Sequence, residues 1–471
     1  MTTKRVGTFL ILMYTLVFFA GKIIDFVPPD YDFVIYFDNP SVNYQKLKEV
    51  PLFSFVFGDK GLGVEYIFNS MMDDIEKKSG VSKKVFLDAI SHDFLISSKG
   101  ISLDLNSLTS LDLNYYIDLL KNLGANTIIA LHSSSPNELM KFVSTLLDLS
   151  LDEESTGLYM MKDDHVTIFA GSADDYIVMS GSKGSLSSAL SNYSKPDGGL
   201  TKEASSVLAK KGFIKGYFRG NSLKIDMGVK IKGDINTDHL ELLVKVEDGK
   251  LVLRVDQFVT GNLEKPKAYL VGSSDMGEIP FMGNYFVGIS AKSSAEAVEK
   301  VTSWFSGQGG EIKKMSDIVS SVVRGAEGKI YIIGDISAAS NVTFAAIFRE
   351  TKENFKNIEE TLKKYGAENK GDQWILDISG EKLYFFSYGG HFVVSNVDKK
   401  KYAAYSRRKK LLDDPTFNYL SSFIPYKEDI SRAYLDLGDV LRKITGLDVS
   451  SKMLFFQTYK TGEFLYILEV M

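Results

Sequence analysis

Short runs of alternating apolar and polar residues, separated by stretches with helical spacing, recur twice along this chain in the same order. The segment 126–132 (Asn-Thr-Ile-Ile-Ala-Leu-His) precedes a helical pattern over 133–147; 341–347 (Asn-Val-Thr-Phe-Ala-Ala-Ile) precedes one over 348–365, at an offset of 215. Residues 165–169, a glycine-containing turn and 176–180 are then matched by 382–386, a Gly389-Gly390 turn and 391–395, so that Ser180 and Ser395 again differ by 215. Residues 214–218 match 431–435 at 217. Last, 240–246, a turn through Asp248-Gly249 and 251–255 match 454–459, a turn through Thr461-Gly462 and 464–468, the two glycines 213 apart.

Four segments in one order at a nearly constant offset predict a duplicated domain. Each copy should run strand, helix pair, two strands, helix, hairpin, helix, strand and a final hairpin, Asp-Gly being a strong local signal for such a turn. Short connections between strands predict antiparallel pairing, with amphipathic helices over 137–149 and 353–365 as cover. Ser134 or Ser135 followed by Pro136 has the form of a helix start. The expected fold is therefore α+β: two tandem copies, each a mainly antiparallel sheet with helices packed on one face, at 30–262 and 280–471. Strand-like starts at 33–37 and 286–290 are spaced further apart, and copy one carries additional residues around 100–120. Glycine, proline and serine between 261 and 280 mark the boundary.

Ahead of the copies, within residues 1–25, Lys4 and Arg5 precede sixteen uncharged residues, 6–21, rich in Phe, Leu, Val and Ile. This is an export segment. Phe18 is bulky where a cleavage site wants a small residue, so an uncleaved transmembrane anchor is favoured over a signal peptide. The run spans roughly 24 Å, and Ile23 and Ile24 would lengthen it if Lys22 snorkels. Lys4 and Arg5 would stay in the cytoplasm, leaving the bulk of the chain periplasmic or on the cell surface. No second apolar stretch approaches eighteen residues.

Composition adds exclusions. Of the residues, 44% are hydrophobic, 24% charged and 12% aromatic, which suits packed cores and argues against disorder. A net charge of -5 gives no field for nucleic acid. The absence of cysteine removes disulfides, thiolate nucleophiles and thiolate metal sites.

Ser180-Gly181-Ser182-Lys183 and Lys460-Thr461-Gly462 together raise a serine acyl-enzyme of the penicillin-recognising kind. The repeat assigns the second element to a hairpin turn, and no Ser-x-Asn lies between the two. A phosphate loop is absent, and Gly58-Asp59-Lys60-Gly61-Leu62-Gly63 lacks dinucleotide-loop spacing. The five histidines, 92, 132, 165, 239 and 391, are scattered; Asp163-Asp164-His165 and Asp238-His239 suit turns entering strands better than metal ligands. No catalytic, cofactor or metal residue is assigned. One charge feature stands out: Lys399, Lys400, Lys401, Arg407, Arg408, Lys409 and Lys410 put seven cations into twelve residues, interleaved with Tyr402 and Tyr405. A solvated helix face is the ordinary reading, and an anionic lipid or envelope polymer the functional one.

The apolar segment, Val27-Pro28-Pro29-Asp30, the strand at 33–37 and a helix end at 47–51 together resemble a set of uncharacterised bacterial envelope proteins, a domain-of-unknown-function family. The likeness covers mainly the first 200 residues and implies a bacterial, extracytoplasmic protein without implying an activity. The expected function is a non-enzymatic, membrane-tethered binding or structural role in the cell envelope, with a protein, lipid or anionic polymer as partner. The alternatives are an enzyme with an unrecognised carboxylate and serine site, or a carrier of an apolar ligand.

Overall fold

The computed structural model describes residues 22–100, 103–104, 124–155, 157–195, 198–224, 235–272, 274–291, 326–338, 341–349, 352–378, 380–422 and 427–471. The apolar run 6–21 lies outside them, as does most of 100–120. No helix among the described residues is long and apolar enough to cross a membrane. The chain divides into two compact units: residues 1–48, 56–225 and 239–246, and residues 49–55, 226–238 and 247–471.

The main strands of unit 1 are β1 (Phe33–Phe37), β2 (Phe94–Ser98), β3 (Thr127–His132), β4 (Ser150–Ser155), β5 (Leu158–Lys162), β6 (Thr167–Ala173), β7 (Tyr176–Ser180), β8 (Ile214–Arg219) and β9 (Ile235–Glu247), of which residues 239–246 fall in this unit. They pair in the spatial order β4-β5-β6-β7-β3-β2-β1-β8-β9, antiparallel throughout. Helices α1 (Val64–Ser79) and α2 (Lys83–Ser91) fall between β1 and β2, α3 (Pro136–Leu147) between β3 and β4, and α4 (Lys183–Ser194) after β7. Pro136 does open α3, although Ser135 makes no side-chain capping bond.

Unit 2 contains β10 (Lys250–Gly261), β11 (Tyr285–Ser290), β12 (Glu327–Ala338), β13 (Asn341–Arg349), β14 (Glu368–Asn369), β15 (Trp374–Ile378), β16 (Glu381–Tyr388), β17 (His391–Ser395), β18 (Ser431–Leu435), β19 (Met453–Lys460) and β20 (Glu463–Val470). Their order is β14-β15-β16-β17-β13-β12-β11-β18-β19-β20-β10, again antiparallel at every step. Strand β10 falls with unit 2 because it hydrogen-bonds β20 along its length. Its helices include α5 (Lys352–Lys364), α6 (Lys399–Arg408) and α7 (Pro415–Ser422). Asp398 caps α6 through the Lys401 amide, and Asp414 caps α7 through the Thr416 and Phe417 amides. Thr461 and Gly462 form the β19–β20 turn with φ of 32° and 87°, and Asp248 and Gly249 have 51° and 71°, the left-handed pair that a two-residue hairpin requires.

Mixed helix and antiparallel sheet agree with the α+β class, but the helices do not lie on one face. Successive residues of a strand point to opposite sides. In β7, Val178 packs with Leu186 and Ala189 of α4, whereas its neighbour Ile177 packs with Leu139, Met140 and Val143 of α3. In β17, Val393 joins Tyr402 of α6 and Phe417 of α7, while Phe392 and Val394 join Ile358 and Leu362 of α5. Both sheets are therefore covered on two sides, and their central strands are apolar on both faces. The outer strands differ: β4 is largely exposed and carries Asp152, Glu153 and Glu154, and β14 is two residues long.

Candidate functional site

The segment after residue 21 is fixed to unit 1 at once. Ile23–Phe26 forms one 3₁₀ turn, closed by the Asp25 carboxylate accepting the Lys22 amide at 2.8 Å. Phe26 is fully buried and stacks on Tyr193 of α4, with ring centroids 4.1 Å apart. The buried Asn192 side chain donates to the Asp25 and Val27 carbonyls, both at 2.8 Å. This turn closes one side of a cavity of about 510 Å³ lined by Lys22, Ile23, Ile24, Tyr36, Asp93, Tyr176, Leu208 and Lys215.

Strand register brings the polar lining together. Tyr36 of β1 and Lys215 of β8 are direct cross-strand partners, and Asp93 immediately precedes β2, the other neighbour of β1. The Lys215 ammonium is 7% exposed, donates to Asp38 Oδ2 at 2.6 Å and to the Leu208 carbonyl at 3.1 Å, and stands 5.3 Å from the Tyr36 ring centroid. The Tyr36 hydroxyl donates to Asp93 Oδ2, and Asp93 Oδ1 accepts the Asn39 amide at 2.8 Å.

Burial, with the Asp93 carboxylate next, pushes the Tyr36 phenol far above its ordinary range. Burial and then Asp93 raise Tyr176 as well. Both phenols keep their protons at any physiological pH. They are hydrogen-bond donors and apolar walls, not nucleophiles or bases. Lys215 is held in a charge-assisted pair, and Ile23, Ile24 and Leu208 supply hydrocarbon. Protonated phenols, a paired ammonium and hydrocarbon therefore line one cavity.

The seven cations read from the sequence lie on α6 and the residues leaving it. Lys399 pairs with Asp372 at 2.9 Å. Lys409 pairs with Asp414 at 2.9 Å and stands 4.7 Å from the Phe281 ring centroid, and Lys410 donates to the Glu278 carbonyl at 3.1 Å and to Ser406 at 3.3 Å. Lys400, Lys401, Arg407 and Arg408 are exposed and share one helical face. Lys399, Lys400 and Lys401 open the helix, where a positive charge opposes the dipole by about 0.3–1 kcal/mol each, and the Asp398 cap offsets part of this.

Of the other motifs, Lys183 pairs with Glu154 at 2.9 Å, and Ser180 accepts the Ser182 amide at 3.4 Å as the chain turns into α4. Lys460-Thr461-Gly462 is the hairpin turn. Asp163 accepts the amides of His165 and Val166, as a turn residue does.

No known protein family matches the sequence, and neither does any curated protein. Among solved structures, crystal form I of TP0453 aligns at 12% identity and a TM-score of 0.27 over 51% of this chain and 79% of that one. Crystal forms III and IV of TP0453 align at 12% and 9% identity, each with a TM-score of 0.28 over 50% of this chain and 79% of that one. Similarity at that level carries no argument about function.

Proposed function

We propose that this chain is a non-enzymatic, membrane-tethered extracytoplasmic protein of the bacterial envelope, built from two diverged copies of one domain, whose first copy binds a small amphiphilic ligand such as a lipid headgroup. The observation that carries this reading is the cavity whose wall begins with Lys22, Ile23 and Ile24, the three residues directly after the apolar run 6–21. A tether ending there has no free linker before unit 1, which would keep the cavity close to the bilayer surface. The exposed face of Lys400, Lys401, Arg407 and Arg408 is a second contact with anionic lipid or polymer, at about 1 kcal/mol per basic residue.

Duplication is supported by matching strand neighbours. The order β4-β5-β6-β7-β3-β2-β1-β8-β9 parallels β14-β15-β16-β17-β13-β12-β11-β18-β19 step for step. Phe37 faces Ile214 and Phe94, just as Ile289 faces Ser431 and Ile330. Tyr36, Asp93 and Lys215 thus correspond to Gly288, Lys329 and Arg432. Where copy one has a tyrosine-lined cavity, copy two has a buried ion cluster in which Asp429 pairs with Lys329 at 2.5 Å and Arg432 at 3.1 Å. This difference supports the first copy as the ligand-binding one.

The test is native mass spectrometry of the full chain extracted in detergent from its own membranes. We expect an adduct of lipid size, lost on Leu208→Trp, which puts an indole into the cavity and narrows it. An adduct-free wild-type protein, or one whose adduct survives the substitution, refutes the binding reading. A reporter enzyme fused after Met471 should be active only outside the cytoplasm; activity inside would refute the topology.

A further inference from the structure

One group of ionisable side chains has no part in the cavity just described. Asp88 and His92 lie four residues apart, on the last turn of α2 and at its C-cap, so they share a helical face. His132 ends β3, which pairs with β2, the strand that α2 leads into. The fold thereby stacks the His92 and His132 rings with centroids 4.4 Å apart and 29° between planes. One ligand atom from each of Asp88, His92 and His132 lies within 4.8 Å of those of the other two.

We propose that Asp88, His92 and His132 form a binding site for a divalent transition-metal ion of the zinc type. Two imidazoles and a carboxylate are the donor set that borderline metals take from a protein, leaving a further position for water or substrate. His92 is arranged for ligation: its Nδ1 donates to the Asp88 carbonyl at 2.8 Å, which fixes the tautomer and leaves the Nε2 lone pair available. His132 supplies the complementary observation, a buried Nδ1 with no hydrogen-bond partner among the described residues. A buried ring nitrogen without a partner costs stability, and coordination to a cation would offset that cost.

Donors around a tetrahedral zinc ion stand about 3.3 Å apart, so the three groups must draw in by up to about 1.5 Å. Asp88 and His92 are exposed and able to rotate; their side chains are 50% and 49% accessible. The nearby carboxylate of Asp93 is occupied by the Tyr36 hydroxyl and the Asn39 amide, so it is not counted as a ligand. In the sequence the histidines are forty residues apart, and the Asp-x-x-x-His spacing within α2 is the sole local trace.

The test uses the full chain, freed of metal with a chelator and titrated with Zn²⁺ against a chromophoric competitor, with Mg²⁺ as contrast. We expect one equivalent of Zn²⁺ bound in the micromolar range or tighter, with no competition from Mg²⁺. Affinity should fall at least tenfold in His92→Gln and in His132→Gln, and stay unchanged in His165→Gln and His239→Gln. Cobalt bound to the wild-type chain should give visible d–d absorption, a readout that needs no variant to fold. Absence of Zn²⁺ binding below 100 μM, or full binding by both ligand variants, overturns the proposal.

Discussion

Replacing Asp429 with leucine should destabilise unit 2 by about 3–5 kcal/mol, because it removes from a dry interior the carboxylate that pairs with two buried cations. Asp429 is fully buried, and the Lys329 and Arg432 side chains that it pairs with are 2% and 7% exposed. Both cations lie almost wholly out of contact with water, so solvent replaces little of the lost carboxylate. For a folding unit of this size each kcal/mol corresponds to about 2–4 °C, so the melting temperature should drop by roughly 6–20 °C. Tryptophan fluorescence is a usable probe, since Trp374 of β15 is buried in the core of unit 2. The exposed pair Glu368–Lys370 of the same unit, with side chains 70% and 60% accessible, is the control, and Glu368→Ala should cost less than about 1 kcal/mol. Replacing Lys329, Asp429 and Arg432 together by Met, Leu and Met should recover most of the loss, because the desolvation penalty disappears with the charges. A loss under 1 kcal/mol for Asp429→Leu alone would refute the reasoning, since the two cations would then have found solvent.

Two further outcomes are expected. Burial would push the Asp414 carboxyl up, but the Phe417 amide and Lys409 more than offset it and hold the group below its usual value of 3.8. A depressed pKa stabilises the fold above the unfolded-state value, and that stability is lost as pH falls through the folded-state value. Asp414→Ala should therefore cost about 0.5–2 kcal/mol at neutral pH, and the gap to wild type in urea titrations should close in acid; a gap independent of pH would contradict the assignment. Alanine at Lys400, Lys401, Arg407 and Arg408 together should weaken sedimentation with phosphatidylserine vesicles by up to about three orders of magnitude at low salt, and equal binding would leave the α6 face as a solvated surface.

Local rules carried the sequence reading as far as neighbouring residues decide structure. Asp248-Gly249, and Gly462 after Thr461, name their turns because only a few residues, glycine and aspartate among them, accept positive φ, and Pro136 marks the start of α3 because its ring fixes a helical φ. Two-sided cover was the main miss, although Tyr176–Ser180 and His391–Ser395 contain apolar runs without alternation, the mark of a strand buried on both faces. The cavity was illegible for a different reason. Tyr36 meets Lys215 through a register set by whole-sheet packing, and no spacing along the chain encodes it. The same holds for His92 and His132, which looked scattered until β2 and β3 paired. In the basic cluster the charge was visible in advance, but not that Asp372, Asp414 and the Glu278 carbonyl take up Lys399, Lys409 and Lys410.

The outer strands β4 and β14 bear on how concentrated this chain can become. A sheet edge with open amides invites a neighbour to add a strand, and a high concentration of like molecules multiplies the opportunity. Asp152, Glu153 and Glu154 make β4 repel its own kind, and a two-residue β14 offers too little backbone to template anything. Dense arrays of the chain can then remain dispersed along these edges, leaving association to side-chain chemistry instead of backbone pairing.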